Sequence, residues 1–167
     1  MKELTESLNT KHRKNEFSCG KDMLDNYLQR QANQDIKRKL SVCFVLNDNE
    51  TDLLKGYYTL ANNSIAQELI PAEFQKKLPN SYKSIPTTLL GRLAIDKRFQ
   101  RQGVGKLLLV DALRRSYDIS KSIGSFAVVV DPIDEDAEKF YYKFGFIKLP
   151  DSGKMFLPMN TIRTLFE

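Results

Sequence analysis

The sequence predicts a mixed α/β layer fold. Three observations predict it: β-branched and aromatic runs alternate with amphipathic stretches of helix length, a glycine-containing loop joins a strand to a long apolar helix, and a well-punctuated short helix sits between later strands. In chain order, "CGKDMLDNYLQRQANQDI" places Met23, Leu24, Tyr27 and Leu28 at helical spacing, with Gln31 and Ala32 extending the stripe, so an early helix is expected. "LSVCFVL" and "LLKGYYTLANNSI", separated by the turn residues "NDNETD", form an antiparallel pair. Pro71, Pro79 and Pro86 break "AQELIPAEFQKKLPNSYKSIP" into short helices and loops, a connecting region that also borders a substrate cleft. "TTLLGRLAID" reads as a strand leading into the helix of "GVGKLLLVDALRRS", and "GSFAVVVDP" as a strand buried on both faces. In "DPIDEDAEKFYYKFGF" Pro132 suits a helix start, Asp134, Glu135 and Asp136 suit the first turn, and Gly145 suits the stop. "GFIKLP" and "KMFLPMNTI" close the list as two strands.

A chain of 167 residues fits a single domain, residues 1–167, able to bury a core without disulfides or metal. With 41% hydrophobic and 28% charged residues it lacks both the apolar poverty of disorder and any run long enough to span a bilayer, so no membrane association is expected. The polar start "MKELTESLNTKHRKNEF" carries no export signal, and Cys19 and Cys43 match no metal or redox spacing; both point to a reducing cytoplasm. The net charge of +5 favours an anionic partner, either RNA or a phosphorylated cofactor.

The stretch "DKRFQRQGVGKLLLVDALRRS" concentrates positive charge and two glycines where a helix begins, and offers no Ser, Thr or Asn cap. Its free N–H groups lie at the positive end of the helix dipole and make an anion site; Gly103 and Gly105 let a phosphate approach the backbone, with Arg98, Arg101 and Lys106 as surrounding charge. The alternative is a glycine turn with ordinary surface lysines and arginines. The loop lacks the Gly-Lys-Ser/Thr of a P-loop and the third glycine of a dinucleotide fingerprint.

"QRQGVG", residues 100–105, resembles the Gln/Arg-x-x-Gly-x-Gly/Ala motif of the GCN5-related N-acetyltransferases (GNAT), and "LAID" and "FYYKFGF" stand where that family has its cofactor-binding strand and its "FYxxxGF" helix. The resemblance implies a GNAT-type mixed central sheet flanked by helices, with acetyl-CoA as cosubstrate bound at a splayed pair of parallel strands and no metal. It also implies that the segment Gln100, Arg101, Gln102, Gly103, Val104, Gly105 and Lys106, with Arg98, binds the pyrophosphate, and that backbone groups of Leu93, Ala94 and Ile95 bind the pantetheine arm. A tighter resemblance, carried by "FSCGKDMLDNYLQRQA", "IPTTLLGRLAIDKRFQRQGVGKLLLVDAL", "FYYKFGF" and "MFLPM", is to the toxin branch of the family. That branch acetylates the amino group of aminoacyl-tRNA, inhibits translation and pairs with a ribbon-helix-helix antitoxin; the resemblance further implies a homodimer. A protein amine or polyamine as acceptor, and a noncatalytic acetyl-CoA-binding module, are the competing readings.

Ala137, Phe140, Tyr141 and Phe144 fall at i, i+3, i+4 and i+7, which turns Tyr141 inward and Tyr142 to the edge of the stripe. By resemblance Tyr141 is the catalytic residue, a phenol that protonates the departing coenzyme thiolate. No histidine or glutamate is well specified as a general base, and an α-amine, with a reference pKa of about 7.7–8.0, needs little help to become neutral. His12 reads as a surface residue, and Asp131 as the cap of the Pro132 helix. Arg92, beside the expected cleft, is assigned to substrate binding, meeting a cofactor phosphate or the acceptor end of tRNA; Lys76, Lys77 and Lys83 would extend that surface.

Overall fold

The computed structural model describes residues 3–167, which divide into two compact units: one runs to Ala61 and resumes over Gly91–Ala112, the other comprises Asn62–Leu90 and Leu113–Glu167. Seven strands are hydrogen-bonded in the order β1-β2-β3-β4-β5-β7-β6, where β1 is Glu6–Ser7, β2 Val42–Asn47, β3 Leu54–Ala66, β4 Ser84–Ile95, β5 Ala127–Val130, β6 Ile147–Lys148 and β7 Met155–Pro158. The pairs β1–β2, β2–β3, β5–β7 and β6–β7 are antiparallel, and β4–β5 is parallel. Helices are α1 Asp22–Asn26, α2 Ala32–Lys37, α3 Ala72–Gln75, α4 Val104–Ser120, α5 Glu135–Lys143 and α6 Met159–Arg163. This is the mixed α/β arrangement expected from the alternation of apolar periods.

In the first unit, β2 and β3 form the expected hairpin, with a register shift at Leu46/Asn47 where the turn begins. Val45, Leu54 and Tyr57 on these strands meet Leu24, Tyr27, Leu28 and Ala32 of the helical segment in one core. That segment is not the plain helix the spacing suggested: Tyr27–Gln31 is a π turn between α1 and α2, closed by the Ala32 N–H donating to the Tyr27 carbonyl. The extra residue keeps Tyr27, Leu28 and Ala32 buried together and leaves Gln31 exposed, so Gln31 drops out of the apolar stripe.

In the second unit, β5 is fully buried, as its Val run predicts, and Val129 joins Ile65, Ile85, Leu149 and Phe156 in the core. Three local expectations are corrected here. The α5 cap is Asp134, whose Oδ1 accepts from the Ala137 N–H at 2.8 Å, whereas Asp131 is exposed and outside the helix; Pro132 precedes the cap rather than opening the helix. The strand expected over "KMFLPMNTI" ends at Pro158, which has no ladder N–H, and the chain turns into α6. The short strand β1 carries no sequence signal of its own beyond two residues. Among the described residues no helix is long and apolar enough to cross a membrane, and no three metal-ligating side chains converge.

Candidate active site

The strand-to-helix passage begins where β4 outruns its parallel neighbour. Thr88, Leu89 and Leu90 pair with Val128, Val129 and Val130; β5 then ends, while β4 continues through Ile95. Leu93, Ala94 and Ile95, the residues that the resemblance implies for the pantetheine arm, lie on β4 beyond the last residue paired with β5. Ala94 is buried, and Leu93 and Ile95 are half-buried.

Asp96 follows and is 1% exposed. Its Oδ1 accepts from the Arg98 N–H (2.9 Å) and Arg98 Nε (2.8 Å), and its Oδ2 from the Ser18 N–H (3.0 Å) and Arg98 Nη2 (2.9 Å). Arg98 also donates to the Glu16 carbonyl at 3.1 Å. Its positive charge is thus committed to Asp96, which corrects the expectation that it stands among the charges offered to a phosphate. Burial raises the Asp96 carboxyl pKa, but the Arg98 and Ser18 bonds outweigh it and hold the group below the usual carboxylate range. Because the folded value is depressed, this contribution to stability is complete above the unfolded carboxyl value of about 3.9 and is lost as pH falls through the folded one. Urea titrations from pH 7 to pH 2 should show Asp96→Asn less stable at neutral pH by about 1–3 kcal/mol and with a shallower acid limb; parallel acid limbs for the two proteins would remove Asp96 from the acid transition.

Gln100 ties the next residues down. Its amide nitrogen donates to the carbonyls of Cys19 and Ile95, both at 2.9 Å, so its amide N–H groups position the loop and are not turned to a cofactor. Arg101 (φ 63°) and Gly103 (φ 78°) both take left-handed conformations, and a Cβ built on Gly103 would meet nothing within 4 Å. Among the described residues the N–H groups of Gly103, Val104, Gly105 and Lys106 find no acceptor, and no acidic residue occupies the first turn of α4. Arg101, Gln102 and Lys106 are exposed around them, while Val104 is buried and anchors the helix start. Four open donors, a left-handed glycine and two uncommitted cations fit a phosphate-bearing cofactor.

Arg92 lies on the part of β4 in this same unit. Its guanidinium stacks on the Tyr27 ring, 3.4 Å from the centroid, and makes no ion pair or hydrogen bond among the described residues, so its donors remain available to an anion. Tyr27 is fixed beneath it by donating to Asp35 Oδ2 (2.8 Å) and by contact with Ser41 Oγ (3.0 Å). Sequence reasoning picked out Arg92 but not its platform, because nothing local links residue 92 to a tyrosine in an early helix.

Tyr141 belongs to the second unit. It is buried on α5, as the helical spacing predicted, between Phe140 and Phe146, with ring centroids 5.3 and 5.2 Å away; Tyr142, expected at the edge of the stripe, is 70% exposed. Gly145 (φ 93°) ends α5 by donating to the Tyr142 carbonyl, and Phe146 donates back to the Tyr141 carbonyl. The Tyr141 hydroxyl has no hydrogen-bond partner within the described chain, and burial pushes its pKa far above that of a free phenol. The phenol therefore stays protonated at every working pH. His12 is no rival as a base. Its side chain is 4% exposed, Nδ1 accepts from the Asn9 N–H at 3.0 Å and Nε2 meets Glu6 at 2.8 Å, which corrects the expected surface residue to the fixed centre of a turn. Cys19 and Cys43 are free and buried, with burial raising them to about 11 and about 12, so both are unreactive thiols.

Comparison with known proteins completes the site. The profile of the acetyltransferase (GNAT) domain matches residues 10–160. The chain belongs to the GNAT acetyltransferase family. Within it, the chain is 34% identical over 150 residues, covering 89% of itself and 87% of the relative, to a tRNA-acetylating toxin of Mycobacterium tuberculosis (strain ATCC 25618 / H37Rv). The structure of AtaT complexed with acetyl-methionyl-tRNAfMet is similar at a TM-score of 0.89 and 31% identity, over 98% of each chain. A tyrosine-to-phenylalanine variant of the AtaT toxin, bound to the C-terminus of the antitoxin AtaR and acetyl-CoA, is similar at a TM-score of 0.81 and 28% identity, over 97% of this chain and 96% of that one.

Proposed function

We propose that this protein is an acetyl-CoA-dependent N-acetyltransferase that acetylates the α-amino group of aminoacyl-tRNA, and so acts as the toxin of a toxin–antitoxin pair. The observation that carries the reading is the run of acceptor-free N–H groups from Gly103 to Lys106 at the start of α4. In this reading those amides, with Arg101 and Lys106, hold the pyrophosphate, and backbone groups of Leu93, Ala94 and Ile95 take the pantetheine arm along the unpaired edge of β4. Bound acetyl-CoA supplies the activated thioester. N–H groups near Ala94 and Ile95 steady the charge that grows on the carbonyl oxygen, and Tyr141 donates a hydrogen bond to the departing sulfur.

The acceptor assignment has two supports. The similarity to the M. tuberculosis tRNA-acetylating toxin and to AtaT in complex with an acetylated aminoacyl-tRNA favours tRNA. An α-amine is favoured over lysine because it needs little help from a base: at about 7.7–8.0 it is partly neutral near pH 7, and lysine at about 10.4 is not. Arg92, held flat on Tyr27, supplies a cation to the RNA acceptor end. Residues 1–167 act as one acetyltransferase domain in the cytoplasm, as a homodimer, with a ribbon-helix-helix antitoxin as partner; the AtaT–AtaR complex supports the antitoxin.

The test incubates the purified protein with labelled acetyl-CoA and either charged or uncharged total tRNA. Label is expected in the RNA fraction only with charged tRNA. Transfer to neither, with acetyl-CoA still bound, would move the acceptor to another amine or leave a noncatalytic binding module.

A further inference from the structure

The segment between β3 and β4 is closed on itself by side chains. Gln67 Nε2 donates to the carbonyls of Pro79 (2.9 Å) and Tyr82 (2.6 Å), the Gln67 N–H donates to the Lys83 carbonyl (2.9 Å), and Gln75 Nε2 donates to the Gln67 carbonyl (2.7 Å). These bonds hold open a cleft of about 540 Å³ whose lining includes Gln67, Glu68, Asn80, Tyr82 and Lys83. Such a volume is in the usual range for small-molecule sites, about 300–1,000 Å³. Two of the lining side chains are spent on the loop's own backbone; the others are not. The Asn80 carboxamide, the Glu68 carboxylate and the Lys83 ammonium have no partner among the described residues, and the Tyr82 ring, 56% exposed, packs on no other ring. Lys76 and Lys77 lie exposed just beyond α3.

We infer that this cleft is a subsite for one unstacked nucleotide of the RNA substrate, an inference that rests on the tRNA-directed function proposed above. Each free group matches one part of a nucleotide. The Tyr82 face stacks on the base, which is how single-stranded nucleotides are held without regard to sequence. Asn80 offers both a donor and an acceptor to the base edge, and Glu68 accepts from an exocyclic amino group of the kind cytosine and adenine carry. Lys83 meets the phosphate, with Lys76 and Lys77 adding charge on the approach. A purely anionic ligand would meet repulsion from Glu68. A polyamine would meet it from Lys83. A nucleotide uses both charges.

Filter binding of uncharged total tRNA and steady-state acetylation of charged tRNA, both with the full chain, test the inference. Tyr82→Ala is expected to raise Kd for uncharged tRNA and KM for charged tRNA about tenfold, leaving kcat and the KM for acetyl-CoA unchanged. Tyr82→Phe should retain wild-type values, since it keeps the stacking face. Lys83→Ala should weaken binding and reduce the salt slope by roughly one phosphate contact. Unchanged Kd and KM in Tyr82→Ala, or equal losses in Tyr82→Ala and Tyr82→Phe, overturn the subsite. A wild-type protein that transfers no label yet loses tRNA affinity on Tyr82→Ala supports the cleft while refuting the acetylation reading; transfer that is intact and indifferent to Tyr82 does the reverse.

Discussion

Tyr141→Phe is expected to lower kcat by about 100-fold or more, the usual worth of a positioned proton donor, while acetyl-CoA binds as before. The phenol is buried against Phe140 and Phe146, and its hydroxyl engages nothing else in the described chain, so removing the oxygen breaks no internal bond. Thermal stability should hold or rise, because a buried hydroxyl without a chain partner carries a desolvation cost that phenylalanine does not. Equilibrium dialysis with acetyl-CoA, a melting curve and single-turnover kinetics separate the effects. Burial raises the phenol, so no step in kcat between pH 6 and about 10 should be traceable to Tyr141 ionising. A wild-type kcat in the variant would reduce Tyr141 to packing.

Gly56→Val should unfold or severely weaken the first unit. Gly56 sits on β3, and a Cβ there would stand 2.6 Å from Leu108 Cδ1, 2.7 Å from the Ala94 carbonyl oxygen and 2.9 Å from Ile95 Cδ1. The Leu108 and Ile95 methyls can swing aside. The Ala94 carbonyl cannot, because it belongs to the β4 backbone. Overpacking commonly costs about 1–3 kcal/mol, and a clash with fixed backbone belongs at or above the top of that range; against a total of about 5–15 kcal/mol this is a large fraction. Urea unfolding should show a loss of about 3 kcal/mol or more. Where the variant remains folded, its Ala94–Ile95 backbone is displaced, and acetyl-CoA affinity should fall with stability. A variant with the wild-type midpoint and cofactor affinity would mean that β3 and β4 can separate freely at this point.

Much of this was legible in the sequence, for reasons that differ by element. α4 and the hairpin were legible because their apolar periods are long and clean, and the inward turn of Tyr141 because helical spacing alone fixes it. The open loop was legible because glycine at a helix entry brings no side-chain oxygen to occupy the first free N–H groups. The role of Arg98 was not: the sequence shows a cation near a phosphate loop, but the neighbouring Asp96 captures it, and the only hint was an Asp two residues before the arginine, the spacing of an Asx turn. Asp131 and Asp134 are equivalent as caps by residue type; the fold decides between them by where the chain leaves β5. The Tyr27 platform beneath Arg92 and the cleft at Tyr82 depend on tertiary closure and on glutamine side chains bonding to distant carbonyls, for which no local pattern exists.

The π turn at Tyr27–Gln31 stores one extra residue in the helix without turning its flanks. The Ala32 N–H meets the Tyr27 carbonyl five residues back instead of four, so removing one residue between them would leave the same two groups facing each other as an ordinary helical pair. Tyr27 could keep its place under Arg92 and Ala32 its place in the core. An insertion has no such slack: successive helical residues differ by about 100°, and one residue more would swing one flank off the buried face. This short stretch therefore carries a spare residue, and tolerates shortening better than lengthening.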